Sequence, residues 1–367
     1  MSSVITPTDA SSATPPVNGR SHHPTKTILI TGGAGFIGSN FARYLFAKYP
    51  HYRIVVYDAL TYAGSVENFS AEMRESDRFE FIYGNICNGA QITEVVGTAD
   101  IVVHFAAETH VTRSIFDGRT FFETDVLGTA NLAGAAVHHA DRLERFIHIS
   151  TSEVYGTCRD GQGSMDEKHP LEPCSPYASA KVGADRLIYS YWRTYGLPAV
   201  IVRPFNNYGP SQHLEKVVPR FITSALLAEP LTVHGRGQSA RDWLHVEDTC
   251  RAVDLIVHAP ASAVIGEVFN LGTGVATDVL SIAKHVLRYA GLSEDYVEYI
   301  GDRPGQVELH RAATDKIRRV LGWQPEISLE DGIARTFEWY RENDSFWRHQ
   351  MWMRRIKILT VNGREWH

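Results

Sequence analysis

A short apolar strand, Thr27-Ile28-Leu29-Ile30, runs straight into Thr31-Gly32-Gly33-Ala34-Gly35-Phe36-Ile37-Gly38 and then into a helical stretch from Ser39 to Tyr49. Strand, glycine turn and helix in that order admit few folds. Gly32 and Gly35 let the backbone turn tightly and approach a pyrophosphate, whose charge then rests on the helix amino end. Gly38 lets that helix pack closely on the strand. A second strand, Arg53 to Tyr57, ends in Asp58, the spacing expected of an acid that accepts hydrogen bonds from an adenosine ribose. The same carboxylate repels a 2′-phosphate, so the pattern favours NAD over NADP. A glycine turn that binds nothing is the alternative, and the agreement of strand, helix and acid argues against it.

The alternation continues through Phe79–Tyr83, Ile101–Phe105, Phe146–Ser150 and Ala199–Val202, with helical stretches between. It predicts an α/β fold, a Rossmann-type doubly wound parallel sheet. Beyond Arg203 the pattern loosens into Pro- and Gly-punctuated segments with isolated helices at Val217–Ala228, Val246–His258 and Leu280–Tyr289. That predicts a smaller α/β substrate-binding lobe over the carboxyl edge of the sheet, where ligands bind in such folds. The expected organisation is a disordered leader (1–25), a dinucleotide-binding domain (26–205, with later segments returning to it), a substrate lobe (206–345) and a basic aromatic tail (346–367). The 367 residues suffice for one large domain or two intimate ones.

Thr151-Ser152-Glu153 closes the buried-type strand and stands a short step before Tyr177 and Lys181. A Tyr and a Lys four residues apart share a helix face, so the ammonium can lower the phenol's pKa and make it a base for a sugar hydroxyl. Thr151 can hydrogen-bond the same hydroxyl. Alone, the Tyr-x-x-x-Lys spacing is also an ordinary helical pair.

With these residues in view, the chain from about Thr27 to Tyr340 resembles the extended short-chain dehydrogenase/reductases that modify nucleotide sugars. It resembles the dTDP-glucose 4,6-dehydratases most specifically, through Asp58-Ala-Leu-Thr-Tyr-Ala-Gly64, Phe105-Ala-Ala-Glu-Thr-His-Val-Thr-Arg-Ser-Ile115, Asn206-Asn-Tyr-Gly-Pro210, Glu215-Lys216 and Arg241-Asp-Trp-Leu-His-Val-Glu-Asp248. The resemblance implies that Gly32, Gly35, Phe36, Ile37 and Asp58 hold the dinucleotide, with Asn85 and Ile86 near the adenine. It implies that Tyr177 and Lys181 catalyse hydride exchange at sugar C4, with Thr151 holding the hydroxyl. Asn206 and Arg241 would grip the substrate diphosphate, the Glu215-Lys216 segment would lie near the base, and Thr109 in its motif would face the substrate.

One departure matters. The dTDP-glucose enzymes carry Thr-Asp-Glu, the Asp expelling the C6 hydroxyl and the Glu removing the C5 proton; here the middle position is Ser152. A serine hydroxyl is too weak an acid to replace a carboxylic acid directly. Thr-Ser-Glu is similar to GDP-mannose and certain amino-sugar 4,6-dehydratases, where one Glu can serve both steps, and to UDP-glucuronate decarboxylases, which need no leaving-group acid. A second departure is Glu308-Leu309 after Arg303-Pro304-Gly305, where the family tends to carry two arginines. The expected function is an NAD-dependent nucleotide-sugar lyase working through a 4-ketosugar, a dTDP- or UDP-hexose 4,6-dehydratase. The alternatives are a UDP-glucuronate decarboxylase, then a C4 epimerase, and more remotely a nonenzymatic NAD-binding scaffold.

A net charge of −6 argues against nucleic acid as partner. No apolar run reaches spanning length, so no membrane insertion is expected. Cys87, Cys158, Cys174 and Cys250 lack metal-ligand spacing and fit thiols in a reducing cytoplasm. The seventeen histidines form no ligand cluster, and no metal is expected. Apolar helix faces between Phe121 and His139 and between Ala178 and Tyr195 fit either the four-helix homodimer seam that the resemblance implies or internal packing. In the tail, Trp347, Trp352 and Trp366 mix with Arg348, Arg354, Arg355 and Lys357, which suits an element packed on the lobe, a disordered end or a partner-binding segment.

Overall fold

Short runs of β-branched and aromatic residues become strands in the computed structural model, which describes residues 26–158, 163–302, 307–354, 357–360 and 363–366. In chain order they are β1 (Lys26–Thr31), β2 (Tyr52–Asp58), β3 (Phe79–Tyr83), β4 (Ile101–His104), β5 (Arg145–Ile149), β6 (Ala199–Pro204), β7 (Asn206–Tyr208), β8 (Leu231–His234), β9 (Ala240–His245), β10 (Val268–Leu271), β11 (Ala276–Asp278), β12 (Val297–Ile300), β13 (Lys357–Thr360) and β14 (Gly363–Trp366). The expected leader and Arg303-Pro304-Gly305 lie outside the described residues, as do the side chains of Arg354, Arg355, Lys357 and Trp366.

Seven strands form one parallel sheet in the order β10-β6-β5-β4-β1-β2-β3, the doubly wound arrangement expected from the sequence. Six of them lie on the predicted apolar runs. The seventh, β10, comes from Val268–Leu271, inside the segment expected to form the substrate lobe. Successive residues alternate between the faces of the sheet. Ile28, Ile30, Ile54, Val56, Val103, Ile147 and Val202 point one way, while Leu29, Val55, Tyr57, Val102, Phe146 and Ile201 point the other. Both faces are covered, which is why the central strands read as near-continuous apolar runs, while β3, at the edge, carries Glu80 and is only half-buried.

The first face is packed by the helices Phe36–Lys48, through Phe41 and Leu45, and Val246–His258, through Val253 and Ile256. The second is packed by Gly89–Val96, Thr129–His138 and Pro176–Tyr195, through Ile92, Leu132, Ala136 and Ile188. The first helix starts at Phe36, three residues before the predicted Ser39, because Gly35 takes the N-cap position and the glycine turn feeds directly into it. Pro176–Tyr195 has clean end signals: Ser175 accepts from the Ala178 N–H at 3.1 Å, Pro176 opens the helix, and Gly196 ends it at φ 70°, each a preferred choice for its place.

The smaller lobe combines the three-stranded sheet β11-β9-β7 with the parallel pair β12-β8. Helices Val217–Leu226, Val279–Ala290 and Leu329–Glu342 bury Phe221, Ile282, Val286, Phe337 and Tyr340 against Trp243. The tail begins as a helix, Asp344–Arg348. Trp347 is buried in the lobe core and donates Nε1–H to the Tyr340 carbonyl at 2.9 Å, whereas Trp352 is exposed. The first part of the tail is thus held to the lobe by an aromatic anchor whose one donor is satisfied.

Candidate active site

The chain leaves β1, β2, β4, β5 and β6 on one side of the sheet, and the residues that follow them line a single cleft of about 440 Å³. That size suits a small-molecule site. Every candidate from the sequence borders it: Gly32, Gly35, Phe36, Ile37, Gly38, Asp58, Asn85, Ile86, Thr109, Thr151, Ser152, Glu153, Tyr177, Lys181, Asn206, Glu215, Lys216 and Arg241.

At the glycine end, Gly32 has φ +67°, and a Cβ there would stand 2.4 Å from the Ala106 amide nitrogen. A Cβ on Gly38 would stand 2.4 Å from the Gly32 carbonyl oxygen. The turn, the helix and the end of β4 therefore touch backbone to backbone, and any side chain would force them apart. Asp58 ties this cradle together. Its two carboxylate oxygens accept from the Ala34 N–H at 2.9 Å and the Leu60 N–H at 2.8 Å. Burial raises its pKa, and the two amides oppose the rise. Asp58 is thus a structural clasp as well as a cleft residue, more than the sequence suggested. Each oxygen retains a lone pair for a ligand. Alongside, Asn85 accepts from the Cys87 N–H and Ile86 is buried. A cradle that admits no Cβ, a helix amino end and a cleft-facing acid fit a dinucleotide.

At the end of β5, Thr151 caps a 3-10 turn, Ser152–Tyr155, accepting from the Glu153 N–H at 3.2 Å. The Thr151 hydroxyl also stands beside the Tyr177 phenol and acts to lower its pKa. Tyr177 and Lys181, in the first two turns of their helix, are both buried. Burial is the largest influence on the Tyr177 phenol and raises its pKa; the Thr151 hydroxyl opposes this, and Asp125 and Glu153 add to it. The lowering expected from Lys181 is not realised in this arrangement. Its Nζ donates to the Ile149 carbonyl at 2.9 Å, and burial lowers its own pKa against the pull of Asp125 and Asp185.

Asp125 was not anticipated. It lies in a π-helical segment, Phe122–Gly128, with one oxygen accepting from the Glu108 N–H at 2.8 Å. Burial pushes its carboxyl up to about 7 despite Lys181. The available signal was a carboxylate inside an otherwise apolar helix pattern, since an unpaired charge is seldom placed there without a nearby cation.

On the lobe side, Tyr62 donates its hydroxyl to Glu215 at 2.9 Å, and Arg113 stacks its guanidinium on the Tyr62 ring at 3.8 Å. Lys216 Nζ bonds the Thr109 carbonyl at 2.8 Å, joining two motifs that are over a hundred residues apart in sequence. Burial alone would raise the Glu215 carboxyl, yet Lys216, His110, His213 and the Tyr62 hydroxyl hold it below its ordinary value. Arg220 and Arg241 are both buried and border the same wall. Arg220 was missed because one arginine in an amphipathic helix carries no spacing signal. His310 was missed too: it stands within 3.4 Å of Ser152 and 4.0 Å of Glu153.

A dinucleotide cradle and a buried Thr-Tyr-Lys group on one cleft define a short-chain dehydrogenase/reductase architecture. The chain belongs to the GDP-mannose 4,6-dehydratase family, whose sequence model matches residues 29–336. It is 42% identical over 324 residues to a dTDP-glucose 4,6-dehydratase of Streptomyces niveus, covering 87% of this chain and 94% of that one. It is 43% identical over 317 residues to the low-salt glycan biosynthesis protein Agl12 of Haloferax volcanii, covering 86% and 99%. Among solved structures, the dTDP-glucose 4,6-dehydratase DesIV of Streptomyces venezuelae, crystallised with NAD, superimposes with TM-score 0.83 at 40% identity, covering 88% of this chain and 99% of that one.

Proposed function

We propose that this protein is an NAD-dependent nucleotide-sugar 4,6-dehydratase acting on dTDP-glucose. The carrying observation is the convergence of Thr151, Glu153 and Tyr177 with the glycine cradle and Asp58 on one cleft, in a chain whose relatives of about 40% identity are dTDP-glucose 4,6-dehydratases. Tyr177 takes the C4 hydroxyl proton while Thr151 orients that hydroxyl, and Lys181 lies one turn further along the same helix. NAD, when bound, supplies the hydride acceptor that makes a 4-ketone accessible. The ketone acidifies the C5 hydrogen, Glu153 removes it, and the C6 oxygen leaves as water; the hydride held by the cofactor would then return to C6 and a proton to C5, leaving the cofactor as it began. Asn206 and Arg241, helped by Arg220, hold the diphosphate, and Glu215-Lys216 faces the base. Gly32, Gly35, Phe36, Ile37 and Gly38 hold the dinucleotide phosphates, with Asn85 and Ile86 beside the adenine.

A UDP-glucuronate decarboxylase is the second reading, favoured by Ser152 standing where a leaving-group acid is needed. Incubating the protein separately with dTDP-glucose, UDP-glucose and UDP-glucuronate and weighing the products decides between them. Loss of water supports the first reading; loss of carbon dioxide from the glucuronate alone overturns it.

Asp58 supports NAD over NADP, because its carboxylate would face a 2′-phosphate. Titration should show NAD binding at least about tenfold more tightly, and equal affinities would remove Asp58 from the ribose. Asp58→Ala should weaken NAD binding and also lower stability by about 1–3 kcal/mol, since two amides lose their acceptor. A homodimer is proposed from Phe122, Leu127 and Tyr189, large apolar side chains left exposed on the helical face. Sedimentation giving a monomer at micromolar concentration would reject it. Among the described residues no helix is long and apolar enough to cross a membrane, and the free thiols of Cys87, Cys158, Cys174 and Cys250 suit the cytoplasm.

A further inference from the structure

His310 is fully buried and belongs to none of the sequence motifs. Backbone pairing delivers it. The Ala240 N–H donates to the Glu308 carbonyl at 2.9 Å, the His310 N–H to the Ala240 carbonyl at 3.0 Å, and the Cys158 N–H to the Leu309 carbonyl at 3.0 Å. The segment is thereby threaded between β9 and the loop that follows the Ser152–Tyr155 turn. The imidazole packs edge-on to Phe205, and Nε2 makes a close hydrogen bond with the Gly156 carbonyl. A carbonyl only accepts, so Nε2 carries the hydrogen and the tautomer is fixed. In the neutral ring Nδ1 is then a bare acceptor, 3.4 Å from Ser152 Oγ and 4.0 Å from Glu153 Oε1.

We propose that His310 is a positioning residue that couples Glu153 to Ser152, carrying the proton taken from sugar C5 to the oxygen that leaves C6. The proposal rests on the dehydratase reading. Glu153 takes the C5 proton, the C5–H electron pair becomes the C5–C6 double bond, and the C6–O bond breaks. The proton on Glu153 passes to Nδ1. Nδ1–H gives it to the Ser152 oxygen as the Ser152 hydroxyl proton moves to the departing oxygen, which leaves as water. Glu153 ends as a carboxylate, His310 neutral and Ser152 a hydroxyl, so the elimination itself needs no outside proton.

Ser152, too weak to supply a proton, only relays one. The 4.0 Å gap has to close by about 1 Å for transfer, as catalytic hydrogen bonds commonly tighten when substrate binds. Burial, Arg241 and His169 lower the His310 pKa, while Glu153 and the Gly156 carbonyl raise it. In the relay the ring carries a charge only in passage.

The test uses the NAD-loaded protein with dTDP-glucose in deuterated buffer. His310→Gln keeps a donor for Gly156, and Ser152→Ala is a second variant with little risk to folding. Both should retain C4 oxidation, read as transient reduced cofactor, and deuterium entry at C5. Both should lose water about 10²-fold more slowly, and the double variant should be no slower than either single, as expected of groups acting as a unit. Ser152→Asp in the His310→Gln background should restore water loss by placing an acid directly at C6. Dehydration within about threefold of the unmodified protein in both single variants, or a double-variant loss equal to the product of the singles, overturns the relay. A fall in C4 oxidation matching the fall in water loss does so too, since it marks a merely structural role. If the unmodified protein removes no water from dTDP-glucose, the dehydratase reading falls and the relay with it.

Discussion

Tyr177→Phe should abolish C4 oxidation, lowering its single-turnover rate by about 10²- to 10⁴-fold, while nucleotide-sugar binding stays nearly unchanged. The substitution removes one oxygen from a buried ring that packs edge-on to Phe121 and leaves the volume filled. Losing the hydroxyl's contact with Thr151 costs at most about 1 kcal/mol, too little to unfold the domain. The chemistry has no substitute base at C4. Lys181, one turn along the same helix, is turned to the Ile149 carbonyl, and Thr151 has an alcohol's basicity. Calorimetric titration with the nucleotide sugar and rapid mixing under reduced-cofactor detection separate binding from oxidation. Near-normal turnover would place the base elsewhere. Lys181→Ala should differ by harming cofactor binding as well, because it removes a buried cation that answers Asp125 and Asp185.

Legibility in the sequence followed the range of the interactions. Six of the seven sheet strands declared themselves: the central ones as near-continuous apolar runs, because both faces of a parallel sheet are buried, and the edge strand β3 by its aromatic and β-branched residues around Glu80. β10 did not, since Val268-Phe-Asn-Leu271 is four residues with an Asn inside. That Asn is explained only by distant partners, the Tyr155 hydroxyl and the Met165 carbonyl. The cleft residues were legible where a local motif carries them. Gly32, Gly38 and Asp58 sit in one βαβ unit, and Tyr177 and Lys181 in one helix. Asp58's role as a clasp between Ala34 and Leu60 could not be seen, because it depends on where two loops end up. His310 lay beyond reach for the same reason, being placed by its pairing with Ala240 and by that of Leu309 with Cys158, and the one signal for Asp125, a carboxylate in an apolar helix pattern, did not show that a π-helical segment buries it near Lys181. The effect of Lys181 on the phenol was misjudged because helical spacing fixes which face two side chains share, and burial and the Ile149 carbonyl decide what each then does.

Glu153→Gln is expected to divide the reaction at its middle. C4 oxidation should persist, visible as reduced cofactor that accumulates, while water loss and C5 hydrogen exchange with solvent fall by about 10²- to 10⁴-fold. The glutamine is isosteric, and the contact that fixes the turn uses the Glu153 backbone N–H to Thr151, so the geometry survives the change. Only proton affinity is lost. Ser152→Asp then distinguishes the two readings by sign. A carboxylic acid beside C6 should preserve or raise dehydration of a 6-hydroxy sugar. A glucuronate's own carboxylate would meet a second charge a few ångströms away and bind more weakly. Release of labelled carbon dioxide from C6-labelled UDP-glucuronate by the unmodified protein, with no water lost from either glucose nucleotide, would assign Glu153 and Ser152 to a decarboxylase. Full C5 exchange in Glu153→Gln would remove Glu153 from the proton path under both readings, and with it the only carboxylate that the Ser152–Tyr155 turn holds in the cleft.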